Sequence, residues 1–162
     1  MIFAALFTFL LILAVCSDVT RLKIPNWISL AMIGLFTVFV ISGVKSDLPL
    51  DKHLMIAAAV LAGGFGLFVM GWMGAGDAKL LAAVSLFAGP EQAPIFLYVT
   101  ALAGGAVALF VKAGRFWLMW DEHGDSPAPL SRYFPRWVRR GLVPYGVAIG
   151  VGGLLTIPTV FF

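Results

Sequence analysis

Charge is scarce in this chain. Lysine, arginine, aspartate and glutamate make up only 12% of its 162 residues, where a water-soluble domain carries about a quarter. With 61% hydrophobic residues and a mean hydropathy of +1.00, that shortage excludes a soluble globule and leaves an integral membrane protein. Cysteine is scarcer still: Cys16 stands alone, so neither an intramolecular disulfide nor a zinc ribbon can form. The two histidines, His53 and His123, make no i, i+4 pair of the kind that grips a metal. His123 has Asp121, Glu122 and Asp125 nearby, but the expectation is an exposed acidic loop and no metal. A net charge of +3 and a pI near 9.3 would suit a nucleic-acid partner, yet most basic residues flank apolar runs, where they set topology and meet lipid headgroups. No nucleic-acid binding is expected.

What is abundant is apolar sequence, and it falls into six runs: 2–17, 27–44, 53–72, 77–88, 93–112 and 143–162. The first lacks a basic leader and has Val15 as a poor small-residue match before Cys16, so it is expected to be a retained span rather than a signal peptide, with Cys16 in helix packing. Pro25-Asn26 opens the second, where Asn26 is placed to cap the helix and Trp27 to sit at the interface. Ala58, Ala62 and Gly66 give the third a small-residue stripe for close helix packing. The fourth, stopped by Gly89-Pro90, reaches only about 18 Å at 1.5 Å per residue, short of a hydrocarbon core of about 30 Å. In the sixth, Gly146 and Gly150 stand in GxxxG register, expected for packing. The fold expected is an all-α polytopic membrane helix bundle with about six transmembrane helices, forming one domain over 1–162.

Alternating spans put Arg21, Lys23, Lys79, Lys112, Arg115, Arg132, Arg136, Arg139 and Arg140 on one side, nine of the eleven basic residues, and only Lys45 and Lys52 on the other. Positive residues stay inside. Both termini are therefore expected outside the cytoplasm, and the polar segment at about 114–141, with its interleaved Trp and Arg, along the cytoplasmic headgroups.

The same alternation brings two carboxylates to one side. Asp18 closes the first run, and Asp77 follows two glycines in Gly74-Ala75-Gly76-Asp77-Ala78-Lys79. Charge in such apolar surroundings marks a functional site. Hydrolysis of a peptide bond needs a base to take a proton from water and an acid to protonate the departing nitrogen, and two carboxylates sharing one proton supply both. No serine, cysteine or histidine constellation competes. The glycines would let the backbone pass close to a substrate strand, and Lys79 is placed to answer a lipid phosphate or a substrate carboxylate. Against this stands a plainer assignment, in which Asp77 is a helix cap and Asp18 a solvated residue at a membrane exit.

The combination of motifs resembles the type IV prepilin peptidases, membrane aspartic proteases that share GxGD with preflagellin peptidases and presenilin-like proteases. Gly74 to Lys79 matches the family's GxGDxK, Asp18 with Ile24-Pro25-Asn26 its first-aspartate segment, and Val143-Pro144-Tyr145-Gly146 resembles the proline-aromatic-glycine motif of its last span. The resemblance implies catalytic roles for Asp18 and Asp77, and substrate binding or structural support from Gly74, Gly76, Lys79, Pro25, Asn26, Pro144, Tyr145 and Gly146. It further implies cleavage, at the cytoplasmic face of the bacterial inner membrane, of the leader of prepilin or pseudopilin substrates that carry an apolar N-terminal helix. Larger members carry a Cys-x-x-Cys segment and methylate the new terminus. Without that pair, the chain resembles the short peptidases of tight-adherence (Flp) pilus systems, so no methyltransferase and no cofactor are expected. Two other classes fit the bare carboxylates: a proton-coupled transporter and a non-catalytic pilus or secretion assembly factor.

Overall fold

The computed structural model describes residues 1–45, 48–121 and 134–156. Among them it forms six helices and no strand: α1 (Ile2–Arg21), α2 (Asn26–Ile41), α3 (Leu50–Val69), α4 (Ala75–Asp121), α5 (Arg136–Arg140) and α6 (Tyr145–Thr156). Each of α1 and α3 has 20 residues, about 30 Å at 1.5 Å per residue and so a full span. The outer surface is apolar, with Ile12, Leu30, Met55, Phe65 and Leu109 all exposed, as lipid rather than water requires. This is the all-α membrane helix bundle that the hydropathy pattern predicts.

The helix α4 is two helices joined at Gly89, so six apolar segments result once the short α5 is set aside. Residues 80–88 form the centre of the bundle, buried throughout. Phe7, Leu11 and Ala14 of α1, Ile28, Met32 and Phe36 of α2, and Ile149 of α6 close around them. A helix that is apolar on every side belongs in such a place. Its shortness is then admissible, because protein and not lipid surrounds its backbone ends.

Gly89 adopts φ 61°, ψ −169°, a region that essentially only glycine enters. Pro90 follows and has no N–H, so the Leu86 carbonyl, four residues back, loses its helical donor. His53 replaces it: Nδ1 lies 2.7 Å from the Leu86 oxygen and must carry the proton, since a carbonyl only accepts. The ring is buried, packs at 5.8 Å from Phe36, and fills the space where a Gly89 side chain would project. His53, which no sequence motif singles out, is thus the clasp of the α4 break. His53→Ala leaves that carbonyl unpaired and is expected to cost about 1–3 kcal/mol. Gly89→Ala should cost more, through both its φ and the His53 ring, and the double variant should recover part of the loss because the ring is gone. Melting of the three proteins in detergent checks this ordering; an additive double variant would refute it.

Four local expectations change. The helix after Gly89 does not stop near Lys112 but runs through Gly114 to Asp121, so the start of the polar segment continues the fifth span as helix. On α3 the stripe Ala58, Ala62 and Gly66 is exposed. The inward face instead carries His53, Ala57, Val60 and Gly64, and a Cβ at Gly64 would stand 3.0 Å from that of Ala78. Small residues occupy both faces of α3, so spacing alone leaves the choice open. Asn26 does not cap α2: Pro25 holds that position without a side-chain bond, and the Asn26 amide turns elsewhere. Cys16 is exposed rather than packed in the bundle. Residues 122–133, with His123 and Arg132, and the end of the last run at 157–162 lie outside the described residues.

Glycine packing in α6 does hold. Gly146 lies against Asp18, Gly150 against Val15 and Gly153 against Leu11, so α6 runs antiparallel along α1 at close approach.

Candidate active site

Helix α1 ends abruptly just beyond Asp18. The Leu22 N–H donates to the Asp18 backbone carbonyl at 2.8 Å, with Leu22 in the left-handed region at φ 54°. Such a conformation is uncommon outside glycine and asparagine. The Ser17 hydroxyl donates to the Lys23 carbonyl at 2.9 Å and fastens the turn. The chain then enters Ile24-Pro25-Asn26, where Pro25 is extended at φ −64°, ψ 138° and launches α2.

The Asp18 side chain is only 4% exposed. Its Oδ2 accepts the Gly146 N–H at 2.7 Å. Gly146 lies in the first turn of α6, where amides have no helical acceptor and the macrodipole is positive, so the carboxylate of one helix caps the start of another. Asp77 lies in the first turn of α4 and is half-buried. Its Oδ2 accepts the Gly74 N–H at 3.2 Å, the return half of a capping box. The helix-cap role is therefore present, and it occupies one oxygen of the carboxylate.

Three sequence segments lock together at this point. A Cβ at Gly76 would stand 3.1 Å from the Ile24 carbonyl, one at Gly74 2.8 Å from Asp77 Oδ2, and one at Gly146 2.8 Å from Asp18 Cβ. Lys79 Nζ donates to Asn26 Oδ1 at 3.2 Å, tying the N-terminal part of α4 to the first turn of α2. Gly76 is thus spent on packing against the chain's own Ile24. Pro144 is fully buried behind the start of α6.

In front of these contacts lies a cavity of about 440 Å³ lined by Asp18, Asp77, Gly74 and Tyr145. Both carboxylates thus face one space, from the end of α1 and the start of α4. Of the other residues singled out from sequence, Gly76, Pro25, Asn26, Pro144, Gly146 and Lys79 do not line it; they hold the elements that do. The walls are completed by Met73 and Val143, which border the two glycine motifs, and by residues that sequence reasoning passed over: Leu22, Gly71, Trp72, Gly141 and Leu142. Gly71 and Gly141 both have positive φ, 75° and 66°, so a signal existed in the glycines that end α3 and α5. The wall from 141 to 143 gives the end of the polar segment a place at the site. Its preceding helix α5 is seated on α4, with Val138 and Phe134 against Gly114. Among the described residues no three His, Cys, Asp or Glu side chains are grouped to hold a metal.

A membrane helix bundle with two carboxylates facing one cavity defines the class. Residues 5–109 match the model of the type IV leader peptidase family, and the chain belongs to that family. The match spans Asp18, Ile24-Pro25-Asn26 and Gly74 to Lys79 and stops before Gly146, which the hydrogen bond to Asp18 joins to the site. No curated protein and no solved structure matches the chain. Family membership makes this integral membrane protein a leader peptidase-like protease with prepilin-type substrates in general.

Proposed function

We propose that Asp18 and Asp77 are the catalytic pair of an aspartic endopeptidase. It removes the leader of prepilin or pseudopilin proteins at the cytoplasmic face of the inner membrane. The observation that carries this reading is that carboxylates from the end of α1 and the start of α4 line one cavity, each with one oxygen held by a glycine amide. The second oxygen of each is left for water and substrate. A water between them gives its proton to the ionised aspartate as its oxygen attacks the scissile carbonyl carbon. The protonated aspartate then donates to the leaving nitrogen as the C–N bond breaks, and the pair again holds one proton. The held oxygens fix both rotamers in advance, which favours a reactive geometry over a merely proximate one.

The substrate's apolar helix stays in the lipid while its leader reaches the cavity from the basic side of the membrane. The charge bias of the loops supports that orientation, with both termini outside. The sequence holds no Cys-x-x-Cys pair, and the proposal includes peptidase action without methylation and without a cofactor, as in tight-adherence pilus systems. The test is the purified protein in proteoliposomes with a prepilin-like substrate bearing a basic leader, a glycine before the cut and an apolar helix, plus S-adenosylmethionine. Loss of the leader with no added methyl mass is expected. Absence of cleavage would remove the activity, and a methylated product would remove the restriction.

Orientation has its own check. In a Cys16→Ser background, a cysteine at Lys23 should resist an impermeant thiol reagent applied to spheroplasts, while one at Lys52 should react. Labelling at Lys23 from outside would move the site to the opposite face.

A further inference from the structure

The far side of α4 from Asp77 bears a second concavity, of about 510 Å³, walled by single faces of α2, α3 and α4. Its polarity is graded along its length. Lys79 and Asn26 stand at one end, Ser29 is one turn further in, and beyond it the walls are apolar, with Ala57 and Ala58 of α3 and then Leu86 of α4. Ser29 follows Asn26 by three residues, or about 4.5 Å along the helix axis.

Two groups here lack the partner their chemistry asks for. Among the described residues, Lys79 Nζ donates only to the neutral Asn26 amide and meets no carboxylate. Ser29 is 5% exposed, and its hydroxyl has no hydrogen-bond partner. Hydroxyls of apolar helices ordinarily return to the carbonyl four residues back, and Thr20, Thr37, Ser85 and Thr156 all do so. Ser29 and Thr100 do not, and of the two it is Ser29 that lines the groove.

We infer that this groove binds one anionic glycerophospholipid. Its phosphate meets Lys79 and Asn26, an ester carbonyl one step deeper accepts from the Ser29 hydroxyl, and an acyl chain lies over Ala57 and Ala58 toward Leu86. A phospholipid presents anion, ester and hydrocarbon in that order, matching the order of the walls. A substrate helix fits worse. Its backbone carbonyls are already bonded internally and offer the Ser29 hydroxyl no free acceptor. A zwitterionic lipid would bring an ammonium beside Lys79, so an anionic headgroup is preferred. The inference goes beyond the proteolytic reading and does not depend on it, because binding is measured with no substrate present.

The full-length protein in detergent is equilibrated with equal amounts of palmitoyl-oleoyl phosphatidylglycerol and phosphatidylcholine, washed, and weighed intact by native mass spectrometry. One retained phospholipid per chain is expected, predominantly the glycerol form. Lys79→Gln should abolish the headgroup preference. Ser29→Ala should weaken retention of both lipids about fivefold, the scale of one hydrogen bond, and Ala58→Trp should displace the chain by filling the groove. Melting curves establish that each variant is folded, and Ser29→Ala is the substitution least able to disturb folding. An unchanged lipid count and headgroup ratio in Ser29→Ala and Ala58→Trp would overturn the inference and leave only an unspecific lipid shell. A photoreactive side chain at position 58 that captures the prepilin helix instead of lipid, in membranes containing both, would overturn it as well.

Discussion

Asp18→Asn and Asp77→Asn are each expected to lower leader cleavage at least about 10²-fold, the lower scale for one positioned proton-transfer group. The substitution is unusually clean in this fold. An asparagine carbonyl can still accept the Gly146 N–H in place of Asp18, or the Gly74 N–H in place of Asp77, so the capping contacts at 2.7 Å and 3.2 Å survive. What disappears is the capacity to exchange a proton. If Asp77 serves only to cap α4, the asparagine variant should cleave normally. If the two act as a unit, each single variant should be nearly as inactive as the double, since groups that share one step are strongly non-additive. Lys79→Ala should be milder, because the ammonium meets Asn26 on the other side of the helix and touches neither carboxylate. Initial rates on one prepilin substrate, normalised to inserted protein, decide the matter. Normal cleavage by either asparagine variant would refute the two-aspartate mechanism and place the proton-transfer groups of the peptidase elsewhere.

How much of this was legible in the sequence varies with the physics involved. The spans were legible because hydrocarbon enforces uninterrupted apolar runs, and the break at Gly89-Pro90 because proline cannot donate. The adjacency of Asp18 and Asp77 followed from counting crossings, which fixes depth but not lateral position. The lateral contacts were not readable. That Gly146 rather than a nearby water meets Asp18, or that Asn26 turns from its own helix to Lys79, depends on which helix faces pack together. On α3 both faces carry small residues, and the outward stripe was indistinguishable from the inward one. His53 was opaque for a related reason: its partner is a backbone carbonyl orphaned by a proline elsewhere in the chain, a need that no local pattern around His53 records. The cavity walls at Leu22, Gly71 to Met73 and Gly141 to Val143 are turns, and their placement follows the helices they join.

Gly146→Ala is the second large effect, expected to reduce cleavage by about 10- to 100-fold although the added methyl group is inert. A Cβ there would stand 2.8 Å from both Cβ and Oδ2 of Asp18. The Oδ2 contact could be relieved by turning the carboxylate, but that gives up the amide bond that orients it. The Cβ contact cannot be relieved by any rotamer, because Cβ is fixed to the α1 backbone. The helices must part instead, and they are already in close packing below, at Gly153 against Leu11. Overpacking of this kind costs about 1–3 kcal/mol of stability, which a folded bundle can tolerate. Misplacement of a reacting group by about 1 Å can by itself cost about 10²-fold in rate. Gly104→Ala is the matched control: its Cβ would meet Ala148 at 3.6 Å and Tyr145 at 3.9 Å, ordinary contacts on the other face of α6, so cleavage should be nearly unchanged. Because Gly146 acts through Asp18, adding Gly146→Ala to Asp18→Asn should cost little further activity, whereas a general loosening of the bundle would compound the two losses. Rates for the two single variants and their combination, beside melting temperatures for each, separate those outcomes. Full activity in a folded Gly146→Ala protein would show that the contact between α6 and Asp18 does not govern the placement of the carboxylate.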